Sequence, residues 1–580
     1  MSPCSSITQP ECLMPSPTVE TMNPLHPKKT STTEDGVAEN NILVELGYVA
    51  VYRRVFRSLA NMCMVISLTS PLSAIMITSS YQIVYGGYWG LSWGWIIPNV
   101  LMLPEVLAVA ELASSMPVNG SFYWWAGALA PPAWSHAVSF ITGWLNVLTM
   151  FASTAAFAYA VSTSLSYVVT IAVPDMVWTD AQMMALSLAV IVVWGALMTL
   201  NLEGIAFVYI SMGKNATSSL IFQTEQTHAI LVLVQAVMLI LGLPISHAIK
   251  NEPFASAQAV FGEYLNSSDW GPGVAVPYSW FCALWVNSAW MVPVYVAEET
   301  HNASKEIPKS LLYTFTVTAV SGLVVCLICA FCITDIEALA ADTSYVPFPI
   351  LVVEQQKGKT SSDNRFHHTR GYPLFNLIYD HMGKAASLTL FAIVIPVAFI
   401  GGSGTLVTYA SQIAAFSRDG GFPWHERMSY VHPRLNMPIY SLALLGTGTF
   451  LVLIIALSPQ ASSIIYSLSV VSSLVTFIIP VCFRITAGDR WVPGPWNLGR
   501  WSIPTHILTV ITQAYFIIME CFPSQRAWTA ATFNYNFALT VGAFLISCGF
   551  YWGTGRKNYK GLDLEALEAW RRHHRAGHVG

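Results

Sequence analysis

The chain of 580 residues is 54% hydrophobic and only 10% charged, with a mean hydropathy of +0.53. This composition excludes an ordinary soluble domain and indicates a polytopic membrane protein. The formal net charge of −4 gives no sign of a nucleic-acid partner.

Apolar windows of about 20 residues, the length that crosses a hydrocarbon core of ~30 Å, recur about twelve times. An even number of spans places both termini on one side, and flanking lysines and arginines identify that side as cytoplasmic. We therefore predict an all-α membrane domain of about twelve transmembrane helices over residues 45–555. Residues 1–44, rich in Ser, Thr, Pro and Asn, are expected to form a disordered cytoplasmic tail. Residues 556–580 are expected to form a second cytoplasmic tail.

The first span, residues 62–84, carries hydroxyl side chains and a proline in the middle of its apolar run. Pro71 lacks an N–H group and disfavours helical geometry at Ser70, so we predict two half-helices that separate there. The residues expected to contact a solute at this break are Ser67, Thr69, Ser70 and Ser73.

The second span contains two acidic residues, Glu105 and Glu111. An ionisable side chain at membrane depth is costly and faces the bundle interior, so both are candidates for carrying a coupling ion. The alternative is a carboxyl group that a neighbouring hydrogen bond keeps neutral.

The sixth span is interrupted by Asn287, Ser288 and Pro293. An exposed peptide group in hydrocarbon costs several kcal/mol, so a break at this depth is tolerated beside a cavity or a bound solute. The alternative is a helix that Pro293 kinks and whose polar side chains bond neighbouring helices. The residues expected to face a solute here are Trp285, Asn287, Ser288 and Trp290. Broken first and sixth spans, in matching halves of the chain, together point to a solute site at mid-membrane depth.

Two polar stretches, residues 212–227 and 350–371, interrupt the apolar pattern and are either retained introns or genuine loop insertions. If the first is genuine, the fifth span begins near His228. The C-terminal residues 561–580 form either an amphipathic helix, with Leu562, Leu567 and Trp570 on the membrane surface, or a solvated tail. Neither this tail's histidines nor the cysteines of the seventh span offer a convincing metal site, and no cofactor is expected.

Several strings in the chain match a known transporter pattern. They are VELGYVAVYRR (44–54), AELASSMPVNGSFYWWAGALAP (110–131), AEETHNASKEIPKS (297–310), AFSRDGGFPW (415–424) and VPGPWNLGRWS (492–502). They resemble the amino acid–polyamine–organocation permeases, and within them the fungal branch of amino acid, GABA and choline permeases. Three features depart from the family. Ser121 replaces the second glycine of a pair, and helix one has SLTSPLSA (67–74) where many relatives have a glycine-rich break. Helix six lacks the acid that some relatives carry near Met291.

The resemblance implies a leucine-transporter-like fold of two inverted five-helix repeats plus two helices, with solute bound where helices one and six unwind. It implies proton coupling, in the plasma membrane or, second, the vacuolar membrane. In sodium-coupled members of this fold, hydroxyls such as those of Ser403 and Thr405 bind the ion, although here they could serve close helix packing instead. Glu298 and Glu299 are expected to pair with Arg53 or Arg54 as an inner gate or a fixed ion pair.

We therefore predict a secondary active transporter, and not an enzyme, that imports an amino acid or a GABA-like amine by alternating access. The spans contain no nucleophile with a base and an orienting group. The alternatives are a permease for choline, another quaternary amine or a polyamine, and a nutrient receptor that does not transport. The absence of an acid near Met291 weakens the case for a strongly cationic substrate.

Overall fold

A computed structural model describes residues 45, 71–173, 176, 178–199, 218–342, 372–432, 437–457, 461–524, 526–529 and 533–578. Within these ranges the chain is helical, apart from turns, loops and one isolated β-bridge between His432 and Met437. Helices satisfy every backbone hydrogen bond within the segment, which a lipid environment requires.

The α-helices are numbered in chain order. They are α1 Pro71–Ser115, α2 Ser121–Leu129, α3 Pro132–Ala172, α4 Asp180–Thr199, α5 Ser218–Ile249, α6 Ala257–Gly262, α7 Pro272–Ser279, α8 Phe281–Val286, α9 Val292–Tyr295, α10 Ala303–Phe331, α11 Ile336–Asp342, α12 Pro373–Arg418, α13 His425–Met428, α14 Ile439–Leu453, α15 Ala461–Ile485, α16 Ser502–Glu520, α17 Asn536–Phe550, α18 Arg556–Asn558 and α19 Leu564–His578. In the described part of the chain, ten helices are long and apolar enough to cross a membrane.

The longest of the early helices, α1, turns back on itself at Gly87. Its φ of 60° and ψ of −135° interrupt the helix, and a Cβ atom there would lie 2.7 Å from the Cβ of Leu265. Gln82 Nε2 donates to Gly90 O at 3.1 Å, although residues eight apart in a straight helix are separated by ~12 Å. Helix α1 therefore supplies two arms, which correspond to the first two predicted spans.

The sixth predicted span is divided into short pieces. Helix α8 ends at Val286, a 3₁₀ turn covers Asn287–Ala289, α9 covers Val292–Tyr295, and a second 3₁₀ turn covers Ala297–Glu299. The two arms of α1 and this divided stretch are compatible with about twelve spans, a number that stays a prediction. The predicted break at Ser70 lies outside the described residues, which resume where Pro71 begins α1.

One continuous apolar core joins the helices, with α10 packed along α1 and α15 along α3. Trp95 of α1 donates its indole N–H to Ala319 O of α10 at 2.8 Å. A Cβ atom on Gly322 would lie 2.0 Å from the Trp95 ring. Large apolar side chains on α4, α5, α16 and α17 face outward, as lipid-facing residues do.

The two predicted insertions are only partly described. Residues 350–371 and 212–217 lie outside the described ranges, whereas residues 218–227 belong to α5. The apolar crossing part of α5 covers Leu231–Ile249, close to the expected start of the fifth span near His228.

The C-terminal segment forms a helix, α19, and the expected membrane-surface position of its apolar face is wrong. Leu562, Leu567 and Trp570 are each less than 5% exposed, because they pack against the protein. The guanidinium of Arg571 donates to the backbone carbonyl of Ala128 at the end of α2. Burial and the neighbouring Arg490 lower the pKa of Arg571 to about 10.

Candidate functional site

A small cavity of about 10 Å³ lies between α1, the divided sixth span and α15. This volume accommodates about one water molecule. Its lining consists of Met102, Glu105, Leu284, Ser288, Trp290, Val470, Ser473, Leu474 and Phe477. A solute could enter only after the surrounding helices move apart.

Glu105 brings a carboxyl group to this cavity. It is 1% exposed, and its Oε2 has no hydrogen-bond partner within the part of the chain that the structure describes. Gln513 of α16 lies beside the carboxyl group, and its own amide atoms are buried and unpaired. An isolated buried carboxylate is costly, so this group needs a proton or a cation to compensate it.

Two of the four predicted residues of the sixth span also line the cavity. Trp290 packs edge-on against Phe477 of α15, with ring centroids 6.3 Å apart. The Ser288 hydroxyl donates to Trp285 O at 2.7 Å, one turn back in its own helix. The aromatic pair, Trp290 and Phe477, therefore lines the same cavity as Glu105.

The other two predicted residues of the sixth span have different surroundings. Asn287 Nδ2 donates to Asn99 Oδ1 on α1 at 3.0 Å and to Ala283 O at 2.9 Å. Trp285 packs against Tyr466 and Phe157, with ring centroids 4.9 and 6.1 Å away. In this conformation Asn287 therefore joins two helices. This agrees with the alternative interpretation, in which the polar side chains of the sixth span bond neighbouring helices.

The candidates at the break of the first span are only partly described. Ser73 is 3% exposed within the first arm of α1. Ser67, Thr69 and Ser70 lie outside the described residues.

Glu111, the second acidic candidate, is held in a network of polar contacts. Its Oε1 accepts from Leu498 N at 3.1 Å, and its Oε2 accepts from the Ser502 hydroxyl at 2.7 Å. The Arg484 guanidinium donates to the same hydroxyl at 2.7 Å. Both carboxylate oxygens are satisfied, which favours a structural role over ion coupling.

Ser403 and Thr405, the candidates for ion binding on α12, bond to their own helix. Ser403 Oγ donates to Ile400 O at 2.7 Å, and Thr405 Oγ1 donates to Gly402 O at 2.6 Å. Trp194 of α4 packs so closely on Gly402 that a Cβ atom would lie 2.4 Å from its ring. The described contacts of this segment are those of close helix packing.

Glu298, one of the two gate candidates, pairs with Arg418 at the C-terminal end of α12. Both Arg418 terminal nitrogens donate to its carboxylate, at 3.2 and 3.3 Å, and Asn119 N donates to Oε1 at 3.2 Å. Glu299 also has an interaction partner. Arg53 and Arg54 lie outside the described residues, so the expected pairing with them stays a prediction.

The C-terminal histidines have a partner that sequence reasoning missed. Glu45 lies 3.8 Å from His573 Nδ1 and, through its other oxygen, 3.8 Å from His574 Nδ1. His574 Nδ1 also lies 3.1 Å from Trp570 O, which competes for that nitrogen. This arrangement is a solvated charge cluster near the start of the membrane domain.

Sequence reasoning also missed Phe477, Ser473 and Gln513, which complete the cavity and its surroundings. These residues belong to apolar spans without an interruption, so no local signal distinguishes them from lipid-facing or core residues. Arg418 was within a quoted string, AFSRDGGFPW, where a charged pair directly follows an apolar run.

A bundle of apolar helices around a small cavity with a buried carboxyl group is the arrangement expected of an integral membrane transporter. Residues 58–544 match the family described as amino acid permease. The chain belongs to the amino acid permease family, whose members transport solutes and are not enzymes.

Relatives match over most of their length. The GABA-specific permease of Saccharomyces cerevisiae is 26% identical over 534 residues, covering 90% of this chain and 85% of the relative. An uncharacterized amino-acid permease of Schizosaccharomyces pombe is 25% identical, covering 93% and 90%. Amino-acid permease BAT1 of Arabidopsis thaliana is 23% identical, covering 90% and 95%. Among solved structures, the Eremococcus coleocola manganese transporter has a TM-score of 0.48 at 12% identity, covering 88% of this chain and 95% of that one.

Proposed function

We propose that this permease is a proton symporter that imports an amino acid or a GABA-like amine by alternating access. The single observation that carries the proposal is the buried Glu105 carboxyl group in the cavity beside the divided sixth span, whose Oε2 has no hydrogen-bond partner among the described residues. The transport domain would comprise residues 45–555, with residues 1–44 and 556–580 on the cytoplasmic side. The plasma membrane is the proposed location, with the vacuolar membrane second.

Glu105 couples the proton to the solute in this proposal. When the cavity is open to the outside, a proton neutralises the carboxyl group, and this removes the cost of closing the helices over a charge. The neutral acid then donates a hydrogen bond to a carboxylate oxygen of the solute. When the cavity opens to the cytoplasm, water stabilises the ionised form, and repulsion between two carboxylates helps to release the solute.

The solute's ammonium group would face the aromatic pair. A cation over the ring of Trp290 or Phe477 gains about 0.5 to 2 kcal/mol, depending on how far it is desolvated. Trp285 and Asn287 would reach the solute only after the contacts with Tyr466 and Asn99 change. We propose that the end of the solute opposite its ammonium group contacts the first span, at Ser67, Thr69, Ser70 and Ser73.

The alternative solute is choline, another quaternary amine or a polyamine. The same Glu105 would then stay ionised as the counter-ion of the cation, with Trp290 and Phe477 around it. A sodium-coupled mechanism through Ser403 and Thr405 would require both hydroxyls to leave their helix carbonyls. A nutrient receptor would bind a solute without accumulating it.

The test is uptake by membrane vesicles from transporter-deficient yeast, with a radiolabelled panel of GABA, neutral and basic amino acids, a polyamine and choline. Vesicles with and without an imposed pH gradient are compared, for the wild type and for Glu105→Gln. We expect one zwitterionic solute to accumulate only with the gradient. Glu105→Gln should retain exchange of labelled for unlabelled solute and lose gradient-driven accumulation.

The control is Glu337→Gln, an exposed acid on α11, which should transport like the wild type. Gradient-driven accumulation by Glu105→Gln would refute the role of this carboxyl group. The counter-ion alternative would be favoured if the wild type accumulates only choline and Glu105→Gln loses both accumulation and exchange of choline. Binding without accumulation would favour a receptor.

A further inference from the structure

Three metal-ligating side chains meet at the opposite end of the bundle from the Glu298–Arg418 pair. They are His247 near the end of α5, Glu252 in the following loop, and His381 near the start of α12, just before its non-helical residue Gly383. His247 Nδ1 lies 2.7 Å from His381 Nε2. Glu252 Oε2 lies 3.5 Å from that His381 nitrogen and 4.0 Å from the His247 nitrogen. The charge distribution of the sequence makes this the non-cytoplasmic side.

The spacing of these three atoms is near that of a tetrahedral coordination shell. Zn²⁺ binds His nitrogen and carboxylate oxygen at about 2.0–2.2 Å, so the ligand atoms around it lie about 3.3–3.6 Å apart. Glu252 Oε2 lies 3.5 and 4.0 Å from the two ring nitrogens, which are 2.7 Å apart and would have to separate. Two imidazole nitrogens 2.7 Å apart repel through their lone pairs unless a proton or a cation lies between them. A metal ion near the centre would contact all three atoms after a small separation of the two rings.

The surrounding residues orient the three ligands. The Thr334 hydroxyl, just after α10, donates to Glu252 Oε2 at 2.9 Å. The His247 and His381 rings are stacked, 12° apart in plane, and Phe254 covers His247 with ring centroids 4.5 Å apart. Such supporting contacts hold metal ligands in place in known sites. The ammonium group of Lys250, in the loop before Glu252, donates to Asp380 O.

We propose that His247, Glu252 and His381 bind a divalent transition-metal ion of the Zn²⁺ type. Imidazole ligands favour Zn²⁺ and its neighbours over Mg²⁺ or Ca²⁺, which prefer all-oxygen sites. Three protein ligands leave the fourth tetrahedral position to water. The ion would join the outer ends of α5 and α12. This site is separate from the transport cavity and does not depend on the proposed function.

The test is direct titration of the purified full-length protein in detergent, after removal of metals with a chelator, with ZnCl₂ in competition with a chromophoric chelator. We expect one Zn²⁺ ion per chain. Glu252→Gln and His381→Gln should each weaken binding by at least about tenfold, as the loss of a ligand requires. His425→Gln, which alters a histidine of α13 at the cytoplasmic side, is the matched control and should bind like the wild type.

A second measurement covers the case in which the nearly buried His381 cannot be replaced without unfolding. Glu252 is 36% exposed, and Gln has the same shape, so Glu252→Gln should fold. Zn²⁺ should raise the thermal unfolding midpoint of the wild type, and not that of Glu252→Gln, because only the wild type binds it. Absence of binding by the wild type, or equal binding by Glu252→Gln, would overturn the proposal.

Discussion

Glu105 and Glu111 lie on the same arm of α1, less than two helical turns apart, and their surroundings differ completely. Glu111 accepts hydrogen bonds on both oxygens from Leu498 and Ser502. Glu105 faces a small cavity with one oxygen unpaired. The difference arises from the partner helix that each side chain meets, and it makes Glu105 the proposed proton carrier.

Ser121, which departs from the family pattern, has a backbone conformation that normally favours glycine. It occupies the position of the second family glycine, and its φ of 42° lies in the left-handed region that favours glycine. Gln412 Nε2 donates to the Ser121 hydroxyl at 3.2 Å and to Gly120 O at 3.1 Å. These hydrogen bonds from α12 help to hold the strained residue.

The ion pair between Glu298 and Arg418 gives a prediction at the residue scale. The Glu298 side chain is 2% exposed and that of Arg418 is 25% exposed. Glu298→Gln leaves the guanidinium without its main counter-charge, so we expect a loss of about 2 to 4 kcal/mol in the free energy of unfolding. Thermal unfolding of the purified wild type and variant in detergent measures this loss of stability.

The matched control is Lys309→Gln, which removes the exposed pair with Glu306 at 3.0 Å. An exposed pair of this kind contributes about 0.5 kcal/mol or less, so its unfolding midpoint should hardly change. Equal effects of the two substitutions would mean that the Glu298–Arg418 pair is no more stabilising than a surface pair.

At the scale of elements, the packing of α10 on α1 depends on the absence of a side chain at Gly322. The Trp95 ring fills the space above this residue. We expect Gly322→Val to force the two helices apart and to lower the free energy of unfolding by about 3 kcal/mol. The yield of monodisperse protein and its thermal midpoint are the measurements.

Gly446→Val on α14 is the control for the same change in side chain. A Cβ atom on Gly446 has no neighbour within 4 Å among the described residues. The small gain in helix propensity from Gly to Val is similar at both positions, so only the packing differs. If both variants behave alike, the close approach of α1 and α10 does not limit stability.

At the scale of the whole molecule, several of the quoted family strings meet at one end of the bundle, around the C-terminal end of α12. Glu298 N donates to Asn119 Oδ1 at 2.8 Å, and the Tyr123 hydroxyl donates to Asp419 Oδ2 at 2.9 Å. The backbone N–H groups of residues 560 and 561 donate to Asp419 O, which ties the C-terminal segment to α12. Segments far apart in the chain therefore form one polar network.

The C-terminal helix α19 gives a prediction about this assembly. Leu567 is 1% exposed, and Leu567→Ala should destabilise the docked helix by about 2 kcal/mol or more. Amide hydrogen exchange of residues 564–578 should then accelerate by a factor of about 30. Leu545→Ala, which shortens a 62% exposed residue of α17, should leave that exchange unchanged. Unchanged exchange in both variants would place α19 on the membrane instead of the protein.

The sequence predicted the membrane class, the approximate spans and the family, because hydropathy and charge report directly on the solvent around each segment. It also singled out Glu105, Ser288 and Trp290, since polar residues and interruptions are conspicuous in an apolar run. It could not distinguish Glu105 from Glu111, because that depends on α16 and on residues 498–502. It left α19 either on the membrane surface or as a solvated tail, since an amphipathic pattern does not reveal which apolar surface covers it.

Local composition, therefore, determined the environment of each helix, and tertiary packing decided the chemistry between helices. Phe477 reached the cavity, and Arg418 reached Glu298, through contacts between distant spans. His247 and His381 are 134 residues apart and form no sequence motif, yet they are adjacent where α5 meets α12. The physical reason is that hydropathy acts on each segment separately, whereas hydrogen bonds and ligand sets need atoms brought within about 3 Å by the complete fold.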